Sequence, residues 1–562
     1  MRDFKNAVIE CVPNFSEGRN MDIISQITGE IERIEGVRLL DVDPGKATNR
    51  TVVTIVGNPH AVIEAAFVAI KKAGELIDMR QHKGEHPRMG ATDVCPLIPI
   101  SGITMEETVE FAKMLGKRVG EELGIPVYLY EYAASAAYRT NLADIRSGEY
   151  EGMAAKIVKP EWKPDYGAAA FNERSGATVI GARDFLIAYN INLNTTSTRR
   201  ANSVAFDIRE KGRQKKDTNG KNAKDANGEP IWEPGLLKSV KAIGWYIEEY
   251  GIAQISVNLT NMNVTPLHVL FDTACERATA RGMRVTGSEL VGLVPLQAML
   301  EAGKYFLRKQ QRSVGVSDEE LIRIAVRSLG LDELAPFDPK KKIIEYQLQD
   351  SASKRLAGMT ITRFVQETAS ESPAPGGGSI AAYCGAMGAA LGTMVGNLSS
   401  HKKGWDDRWE EFSMQAEKGQ RIMTELLSLV DEDTNAFNAI MASFGLPKSN
   451  DEEKAARKAA IEKATINAII VPYRTMELAY EAFDVIRDMA ANGNPNSVSD
   501  AGVGALCVRT AIKGAYLNVM INSQDLKDHP EVAPLVAKAQ EIHAATEARE
   551  LEVWNIVLSK MK

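Results

Sequence analysis

Residues 80–93 concentrate side chains that can carry out acid–base chemistry. The stretch contains two histidines, three cations and two carboxylates, whereas the whole chain has only seven histidines. Imidazole titrates near neutral pH and therefore serves as a general acid or a general base. We expect this stretch to form part of an active site.

The same residues also contain the spacing His82-x-x-Glu85-His86. In one class of zinc peptidases this spacing places two histidines one turn apart on a helix, with the glutamate as the base. Gly84 would cost such a helix about 1 kcal/mol, and Pro87 disfavours a helical backbone at His86. A loop that presents one imidazole is therefore the favoured interpretation. A zinc-dependent hydrolase and purely structural histidines remain the alternatives.

The composition indicates a soluble protein of several domains. At 562 residues the chain is too long for a single core. Its net charge of -7 argues against nucleic acid as the main partner. The five cysteines are far apart, odd in number and free of C-x-x-C spacing, which argues against a disulfide framework. Because the N-terminus lacks the apolar core of a signal peptide, a cytoplasmic location is expected.

One apolar segment, residues 379–398, raises the question of a membrane. It has no charge over 20 positions, and Gly388, Gly392 and Gly396 follow the GxxxG spacing of helices that pair in lipid. Alanine and glycine predominate in it, however, and insert poorly. We therefore expect a buried, closely packed helix and no membrane attachment. A non-catalytic scaffold or membrane-attached protein that associates through this segment is the rival hypothesis.

Hydrophobic periodicity divides the chain into two classes of structure. Strand and helix patterns alternate in the first part, which predicts two α/β subdomains of sandwich type with helices over a sheet. From Thr360 onward the segments have helical periodicity, which predicts an all-α helical bundle. The predicted domains are residues 1–180 and 181–330 for the α/β subdomains, 331–357 for a linker, and 358–562 for the bundle.

Three details of this pattern bear on the sites. Residues 142–157 are predicted as one helix. Asp433 is predicted at the start of a helix, after a separate helix over residues 405–430. Residues 211–230 are rich in Gly, Lys and Asn, which predicts a solvated excursion rather than a binding surface.

Two further polar stretches, residues 12–19 and 41–50, each follow a predicted strand. In α/β folds ligands bind beyond the ends of strands. Asn, Ser, Asp and Gly also occur simply as turn and capping residues, which is the alternative. Together with His82, the two stretches favour a site for a charged small molecule.

The motifs in these stretches resemble those of known enzymes. One set is Cys11-Val-Pro-Asn-Phe-Ser-Glu-Gly-Arg19, Leu40-Asp-Val-Asp43, Thr48-Asn-Arg-Thr51, Gly84-Glu-His-Pro-Arg-Met-Gly90, Ser175-Gly-Ala-Thr178 and Gly287-Ser-Glu-Leu-Val-Gly-Leu-Val-Pro295. It closely resembles glutamate formiminotransferase, from about residue 5 to residue 325. Pro375-Gly-Gly-Gly-Ser379 and Leu429-Val-Asp-Glu-Asp433 resemble formiminotetrahydrofolate cyclodeaminase. The order of the two makes the chain similar to the bifunctional formimidoyltransferase-cyclodeaminases of histidine degradation.

This resemblance implies two consecutive reactions on one folate. The formimino group of N-formimino-L-glutamate would pass to N5 of tetrahydrofolate. A second site would then close the ring to 5,10-methenyltetrahydrofolate and release ammonia. The resemblance also implies a ring-like homo-oligomer, a polyglutamylated folate as co-substrate and no requirement for a metal.

For the transferase, the resemblance assigns the acid–base role to His82. The chemistry needs such a group because N5 loses a proton while the leaving glutamate nitrogen gains one. Arg50 and Arg88 are candidates for binding substrate carboxylates, since guanidinium can donate two parallel hydrogen bonds to them. The further substrate- and folate-binding residues that the resemblance implies are Asp41, Lys163, Asp165, Tyr166, Gly167, Ser175 and Gly176.

For the cyclodeaminase, the resemblance aligns Asp433 with the acid–base aspartate. A carboxyl group is needed there to protonate the departing amine after N10 of the folate attacks the formimino carbon. Asp431 is close in sequence and is the alternative assignment.

Two glycine- or asparagine-containing segments complete the predicted cyclodeaminase site. Gly377, Gly378 and Ser379 would bind folate through backbone N–H groups at a helix start, unless they form only a flexible linker with a capping serine. Asn494 and Asp500 would hydrogen-bond the pterin ring, or would only cap the next helix.

Overall fold

The computed structural model describes residues 4, 7–46, 48–84, 87–218, 220–225, 227–348 and 356–561. The chain forms two compact units. The first comprises Met1–Ala298 with Leu329–Gln349, and the second comprises Met299–Ser328 with Asp350–Lys562. Residues 299–328, predicted within the second α/β subdomain, therefore group with the helical unit.

The first α/β subdomain is a sheet with helices packed on both faces. Its strands are β1 (Val8–Cys11), β2 (Asn14–Phe15), β3 (Val37–Gly45), β4 (Arg50–Gly57), β5 (Thr92–Ser101), β6 (Val127–Glu131) and β7 (Thr178–Ala182). Its helices are α1 (Met21–Glu32), α2 (Pro59–Leu76), α3 (Met105–Glu122), α4 (Leu142–Arg146) and α5 (Glu149–Lys156).

The order of strands in this sheet is β1-β4-β2-β5-β7-β6, with β3 paired to β4. Pairs β5–β7 and β6–β7 are parallel, whereas the pairs at the β1–β4 side are antiparallel. Apolar residues of α1, α2 and α3 pack on the strands. The strand residues in this core include Ile9, Ile55 and Leu97, which are fully buried. This packing leaves the loops after α2 and between β3 and β4 at the sheet edge that carries the first site.

The second α/β subdomain contains β8 (Ile187–Leu193), β9 (Arg213–Gln214), β10 (Trp232–Glu233), β11 (Val240–Ile247), β12 (Ile252–Leu259) and β13 (Val285–Val291). Its helices are α6 (Thr198–Ile208) and α7 (Leu267–Thr279). Strands β11-β12-β8-β13 form an antiparallel sheet. Strands β9 and β10 form a separate ribbon. The described part of 211–230 is mostly exposed, as expected for a solvated excursion.

The segment between the α/β subdomains and the bundle contains α8 (Leu296–Lys309), α9 (Asp318–Leu329), α10 (Pro339–Lys342) and α11 (Ile344–Leu348). In this segment the structure differs from the predicted linker over 331–357. Ile343 and Ile344 are fully buried in the first unit, and Ile343 pairs with Val294 in an isolated bridge. Apolar side chains anchor this part of the segment, while residues 349–355 lie outside the described residues.

The second unit is built around a helical bundle of α12 (Ile361–Thr368), α13 (Gly377–Ser400), α14 (Trp409–Phe444), α15 (Asp451–Asn492), α16 (Val498–Asn522) and α17 (Ala533–Lys560). By length and composition α13 could cross a membrane, but 61% of its apolar window is buried inside the protein. Gly388 of α13 faces Gly504 and Val508 of α16, and Gly396 faces Ala416 of α14. Small residues thus allow close approach of the helices, and the prediction of a buried, closely packed helix is confirmed.

Two predicted elements are wrong in a way that matters for the sites. The predicted helix over 142–157 is broken into α4 and α5, because Gly148 has φ 90° and Glu149 has φ 53°. Helix α14 runs without a break through residue 433, so Asp433 lies inside a helix and not at a helix start. Its side chain therefore does not interact with the N-terminus of its own helix.

Candidate active sites

The imidazole of His82 is held on both sides in the loop that follows α2. Its Nε2 lies 2.9 Å from the Asn49 carbonyl oxygen, and Arg88 Nε donates to its Nδ1 at 3.2 Å. Residues 82–84 are not helical, which confirms the predicted loop, while Glu85 and His86 lie outside the described residues. Burial lowers the pKa of His82 below its ordinary value of 6.5, and Arg88 lowers it further.

The side chain of Asn49 connects three predicted polar stretches by hydrogen bonds. Its Oδ1 accepts a hydrogen bond from Gly18 N at 3.0 Å, and its Nδ2 donates to Lys83 O at 3.0 Å. The side chain is buried, and the backbone has φ 48°, a left-handed conformation that asparagine tolerates better than most residues. The structure therefore brings stretches 12–19, 41–50 and 80–93 to one place, around a residue absent from the predicted site.

Arg88 forms the wall of a cavity of about 500 Å³ next to His82. Its Nη2 donates to Glu151 Oε1 at 2.7 Å and its Nη1 to Glu151 Oε2 at 2.8 Å, and Nη1 also lies 3.1 Å from Glu149. The Arg88 side chain is only 9% exposed. Both terminal nitrogens thus already bind carboxylates of the protein, and binding of a substrate carboxylate by Arg88 stays a prediction. The sequence analysis missed both glutamates, because the predicted helix over 142–157 gave no reason to place them near His82.

A second group of charges lies around the buried Asp93 at the start of β5. Its Oδ1 accepts a hydrogen bond from Met89 N at 2.9 Å, and its Oδ2 pairs with Arg146. Arg50 lies near this pair. Burial and the charge of Arg146 lower the pKa of Arg50, whereas the carboxylates of Asp93 and Asp43 raise it. The predicted residue Arg50 is therefore part of a charged group beside the His82 loop.

Asp41, another predicted binding residue, is exposed on β3 opposite Thr54 of β4. Side chains two residues apart on a strand share a face, so Asp41 lies on the side of β3 that carries Asp43. The position is compatible with the predicted binding role, which stays a prediction.

The predicted turn at Ser175 and Gly176 lies directly beside the segment that follows Arg88. Ala91 N donates to Ser175 O at 2.8 Å, and Ala177 N donates to Met89 O at 3.0 Å. Gly176 has φ 69°, and a Cβ at this position would overlap Met89 O. Only glycine fits so close an approach, so the turn and the His82 loop are fixed against each other.

The predicted loop at residues 163–167 is anchored on β6 and α3. Asp165 accepts hydrogen bonds from Leu129 N at 2.7 Å and from Arg139 at 3.1 Å. The ring of Tyr166 packs on Gly116, Gly167 lies next to the backbone of Gly120, and Lys163 is exposed. The Asp165 carboxylate, 10% exposed, thus holds the loop in place through an internal ion pair, and its predicted role in binding folate stays a prediction.

A larger cavity of about 650 Å³ lies between the two subdomains of the first unit, and sequence reasoning missed it. Its lining includes Glu131 and Ser239, two of the non-glycine residues with positive φ, at 52° and 55°. Backbone strain of this kind is frequent at functional sites. Arg183, which also lines the cavity, follows β7, a strand that the sequence analysis did not identify.

The second candidate site lies in the bundle, where α14 meets the first turn of α13. Ser379, fully buried, has its Oγ 2.9 Å from Asp433 Oδ2 and 3.0 Å from Val430 O. A Cβ on Gly378 would overlap the Asp433 carboxylate, so this carboxylate directly contacts the backbone of Gly378. Burial raises the pKa of Asp433 above its ordinary value of 3.8, and hydrogen bonds from the Ser379 hydroxyl and backbone N–H oppose the rise.

The structure distinguishes Asp433 from its neighbour Asp431. The Asp431 carboxylate accepts a hydrogen bond from Leu356 N at 2.6 Å and so attaches the chain before α12 to α14. The predicted glycine-rich helix start is confirmed, because α13 begins at Gly377. A Cβ on Gly377 would lie 3.6 Å from Nδ2 of Asn518, a residue of α16 that the sequence analysis missed.

Asn494, in the predicted polar loop with Asp500, contacts the end of α13 opposite Ser379. Asn494 N donates to Ser399 Oγ at 2.8 Å, near the far end of α13. Twenty helical residues separate Ser379 from Ser399, which corresponds to about 30 Å at 1.5 Å per residue. Asn494 Oδ1 accepts from Asn496 N and caps a short 3₁₀ turn, so the capping alternative is the one the structure shows for this residue.

Comparison with known proteins gives both parts of the chain a family. Residues 8–183 match the N-terminal subdomain of the formiminotransferase domain, and residues 188–349 match the formiminotransferase domain. Residues 360–541 match the formiminotransferase-cyclodeaminase family. These matches define the chain as a formiminotransferase domain followed by a helical domain of the cyclodeaminase type.

Individual relatives support the same division. Formimidoyltransferase-cyclodeaminase of Rattus norvegicus is 44% identical over 522 residues, which cover 93% of each chain. Glutamate formimidoyltransferase of Streptococcus pyogenes serotype M1 is 41% identical and covers 54% of this chain and 93% of its own. Methenyltetrahydrofolate cyclohydrolase of Methylorubrum extorquens is 37% identical and covers 36% of this chain and 97% of its own. The chain belongs to the formimidoyltransferase-cyclodeaminase family.

The comparisons lend no support to a zinc hydrolase. Among the described residues no group of three or more His, Cys, Asp and Glu side chains is arranged to hold a metal ion.

Proposed function

We propose that the chain catalyses two consecutive reactions of one-carbon metabolism, with one acid–base residue for each. The observation that carries the proposal is the presence of two separate sites, one with a half-buried imidazole at His82 and one with a half-buried carboxyl group at Asp433. The family relationship supports the assignment of a reaction to each site.

In the first reaction the formimino group passes from N-formimino-L-glutamate to N5 of tetrahydrofolate. His82 accepts the proton that N5 loses and supplies the proton that the leaving glutamate nitrogen gains. A neutral imidazole is the form that can accept a proton, and the lowered pKa of His82 keeps the ring neutral near pH 7. Arg50 and the turn at Ser175 and Gly176 are the remaining candidates for contacts with the substrates.

In the second reaction N10 of 5-formiminotetrahydrofolate attacks the formimino carbon, and ammonia leaves to give 5,10-methenyltetrahydrofolate. Asp433 protonates the departing amine. A half-buried carboxyl group with a raised pKa suits this role because it holds its proton at a higher pH than an exposed aspartate. Gly377, Gly378 and Ser379 are the candidates for contacts with the folate, and the roles of Asn494 and Asp500 stay predictions.

The proposal is tested by incubating the protein with formiminoglutamate and tetrahydrofolate while methenyl-folate absorbance and ammonia are followed. Both products are expected. Supplying 5-formiminotetrahydrofolate directly then tests the second reaction without the first. The absence of both products in the first assay, and of ammonia in the second, would show that the proposed function is wrong.

We further propose a cytoplasmic, ring-like homo-oligomer that acts in histidine degradation and prefers polyglutamylated tetrahydrofolate. Support for association comes from Leu517 and Ile521 of α16, which are 68% and 63% exposed on the surface of the unit. Light scattering on the purified protein tests the oligomer. A comparison of KM for mono- and pentaglutamyl tetrahydrofolate tests the preference for polyglutamates.

A further inference from the structure

We propose that Arg88 is a positioning residue for His82: it fixes the neutral imidazole with its proton on Nε2, and Glu151 holds Arg88 in the orientation that does so. The proposal rests on the proposed function, because the acid–base role of His82 is what gives the tautomer a consequence. It concerns a hydrogen-bonded chain that runs from Glu151 through Arg88 and His82 to the backbone of Asn49.

The partners of the two ring nitrogens determine where the proton is. A guanidinium group has only donors and remains protonated in proteins. Because Arg88 Nε donates to Nδ1 at 3.2 Å, Nδ1 has to supply a lone pair. The Asn49 carbonyl oxygen can only accept, so Nε2, 2.9 Å away, carries the hydrogen. His82 in this arrangement is a neutral imidazole of one defined tautomer.

The same arrangement resists protonation of the ring. The second proton of an imidazolium would have to be added at Nδ1, where it would meet the N–H of Arg88. Besides Arg88, the charged groups that act on His82 are Arg19 as a cation, and Glu17 and Glu151 as carboxylates. The ring can take a proton at Nδ1 only after the Arg88 N–H has turned away from it.

The position of Arg88 itself depends on a break in a helix. Glu151 binds both terminal nitrogens of Arg88 in a two-pronged arrangement, at 2.7 Å and 2.8 Å, and Glu149 approaches one of them. Residues two apart on a regular helix point to different faces. Gly148 and Glu149 have a left-handed backbone at the start of α5, so Glu149 does not follow the regular helical direction. The carboxylates of Glu149 and Glu151 can therefore both reach the Arg88 guanidinium.

This geometry distinguishes guanidinium from other cations. Lysine keeps the charge of Arg88 but lacks the Nε–H and the planar pair of terminal nitrogens. A contribution by charge alone would therefore survive Arg88→Lys, whereas the proposed hydrogen bond to Nδ1 would not.

The test compares pH profiles of the formimino transfer reaction for the full-length wild-type chain, Arg88→Lys, Arg88→Gln and Glu151→Gln. In both Arg88 variants we expect the acid limb of kcat/KM to move to higher pH, because a proton added at Nδ1 no longer meets the N–H of Arg88. Glu151→Gln should shift the profile in the same direction by less. Glu151 is 64% exposed, so folding should survive this substitution.

The matched control is Arg33→Gln, directly after α1 and outside the stretch 80–93. The Arg33 guanidinium binds Glu30 at 2.9 Å and its side chain is 73% exposed. This variant should retain the wild-type profile. Thermal unfolding and equilibrium binding of tetrahydrofolate verify that each variant is folded.

A second readout does not depend on turnover. Two-bond proton–nitrogen correlation spectra of ¹⁵N-histidine-labelled protein report the tautomer of each imidazole, and His82→Gln identifies the signal. The Nε2–H tautomer is expected in the wild type and a mixture of forms in Arg88→Gln. An Nδ1–H tautomer in the wild type, or a wild-type pH profile in Arg88→Lys, would overturn the proposal. If the wild type transferred no formimino group but showed the Nε2–H tautomer, the proposed function alone would be wrong.

Discussion

The hydroxyl group of Ser379 lies between two acceptors, 2.9 Å from Asp433 Oδ2 and 3.0 Å from the Val430 carbonyl oxygen. The hydroxyl has one proton and can donate to only one of them at a time. When Asp433 is ionised, Ser379 donates to the carboxylate. When Asp433 is protonated, the carboxyl proton can be donated to Ser379 Oγ while the hydroxyl turns to Val430. The pair thus satisfies both protonation states of a half-buried acid without a rearrangement of the backbone.

Removal of this hydroxyl should change the pH dependence of the second reaction. The Ser379 hydrogen bonds lower the pKa of Asp433, so Ser379→Ala should raise that pKa and move the cyclodeaminase pH profile to higher pH. We expect kcat to fall by roughly tenfold, because a buried oxygen loses its partner. Ser428→Ala, on an exposed part of the same helix, is the control. Identical profiles for the two variants would contradict the role of Ser379.

A methyl group at residue 378 should remove the cyclodeaminase activity. In Gly378→Ala the new Cβ would overlap the Asp433 carboxylate, which would have to move. Alanine is favoured over glycine inside a helix by about 1 kcal/mol, so a loss of stability would not be the cause of the lost activity. Gly376→Ala is the control, since its Cβ would meet only Pro373 O at 3.8 Å. Measurement of ammonia release from 5-formiminotetrahydrofolate checks the prediction, which fails if both variants are equally active.

The two activities should be separable by single substitutions. His82→Gln should reduce formimino transfer by roughly 10²–10⁴-fold and leave cyclisation of supplied 5-formiminotetrahydrofolate intact. Asp433→Asn should do the reverse. Each variant serves as the folding control for the other. Loss of both activities in either variant would mean that the two reactions do not use separate acid–base residues.

Asn49 should matter both for its side-chain hydrogen bonds and for its backbone conformation. Asn49→Gly keeps a residue that adopts φ 48° freely but loses the bonds to Gly18 and Lys83. Asn49→Ala loses the bonds and adds a left-handed backbone cost of roughly 1–2 kcal/mol. We expect both variants to be less stable in urea denaturation, with the alanine variant lower by about this difference. Equal stability of the two would show that the left-handed conformation relaxes without cost.

Features that depend on neighbouring residues were predictable from the sequence. The loop at His82 follows from Gly84 and Pro87, which disfavour the interior of a helix. The buried α13 follows from its small apolar residues, and the two structural classes follow from hydrophobic periodicity. These signals are local, so they need no knowledge of the rest of the fold.

Features that depend on partners distant in sequence were not predictable in the same way. Periodicity alone gave no sign of the left-handed backbone at Gly148 and Glu149, so residues 142–157 were predicted as a single helix. Asp433 was placed at a helix start because it follows an apolar run, whereas α14 continues across it. Burial of α14 in the bundle outweighed the local preference.

The sequence by itself determined the types of chemical groups in this protein and the class of each domain, because residue identity and hydrophobic period are properties of the chain alone. Only the tertiary structure decided which groups meet. It placed Glu151 on Arg88 across 63 residues of sequence and Ser379 on Asp433 across 54, and it put Asn494 on Ser399, about 30 Å along α13 from Ser379. The physical reason is that helix and strand geometry set these distances, and sequence separation carries no measure of them.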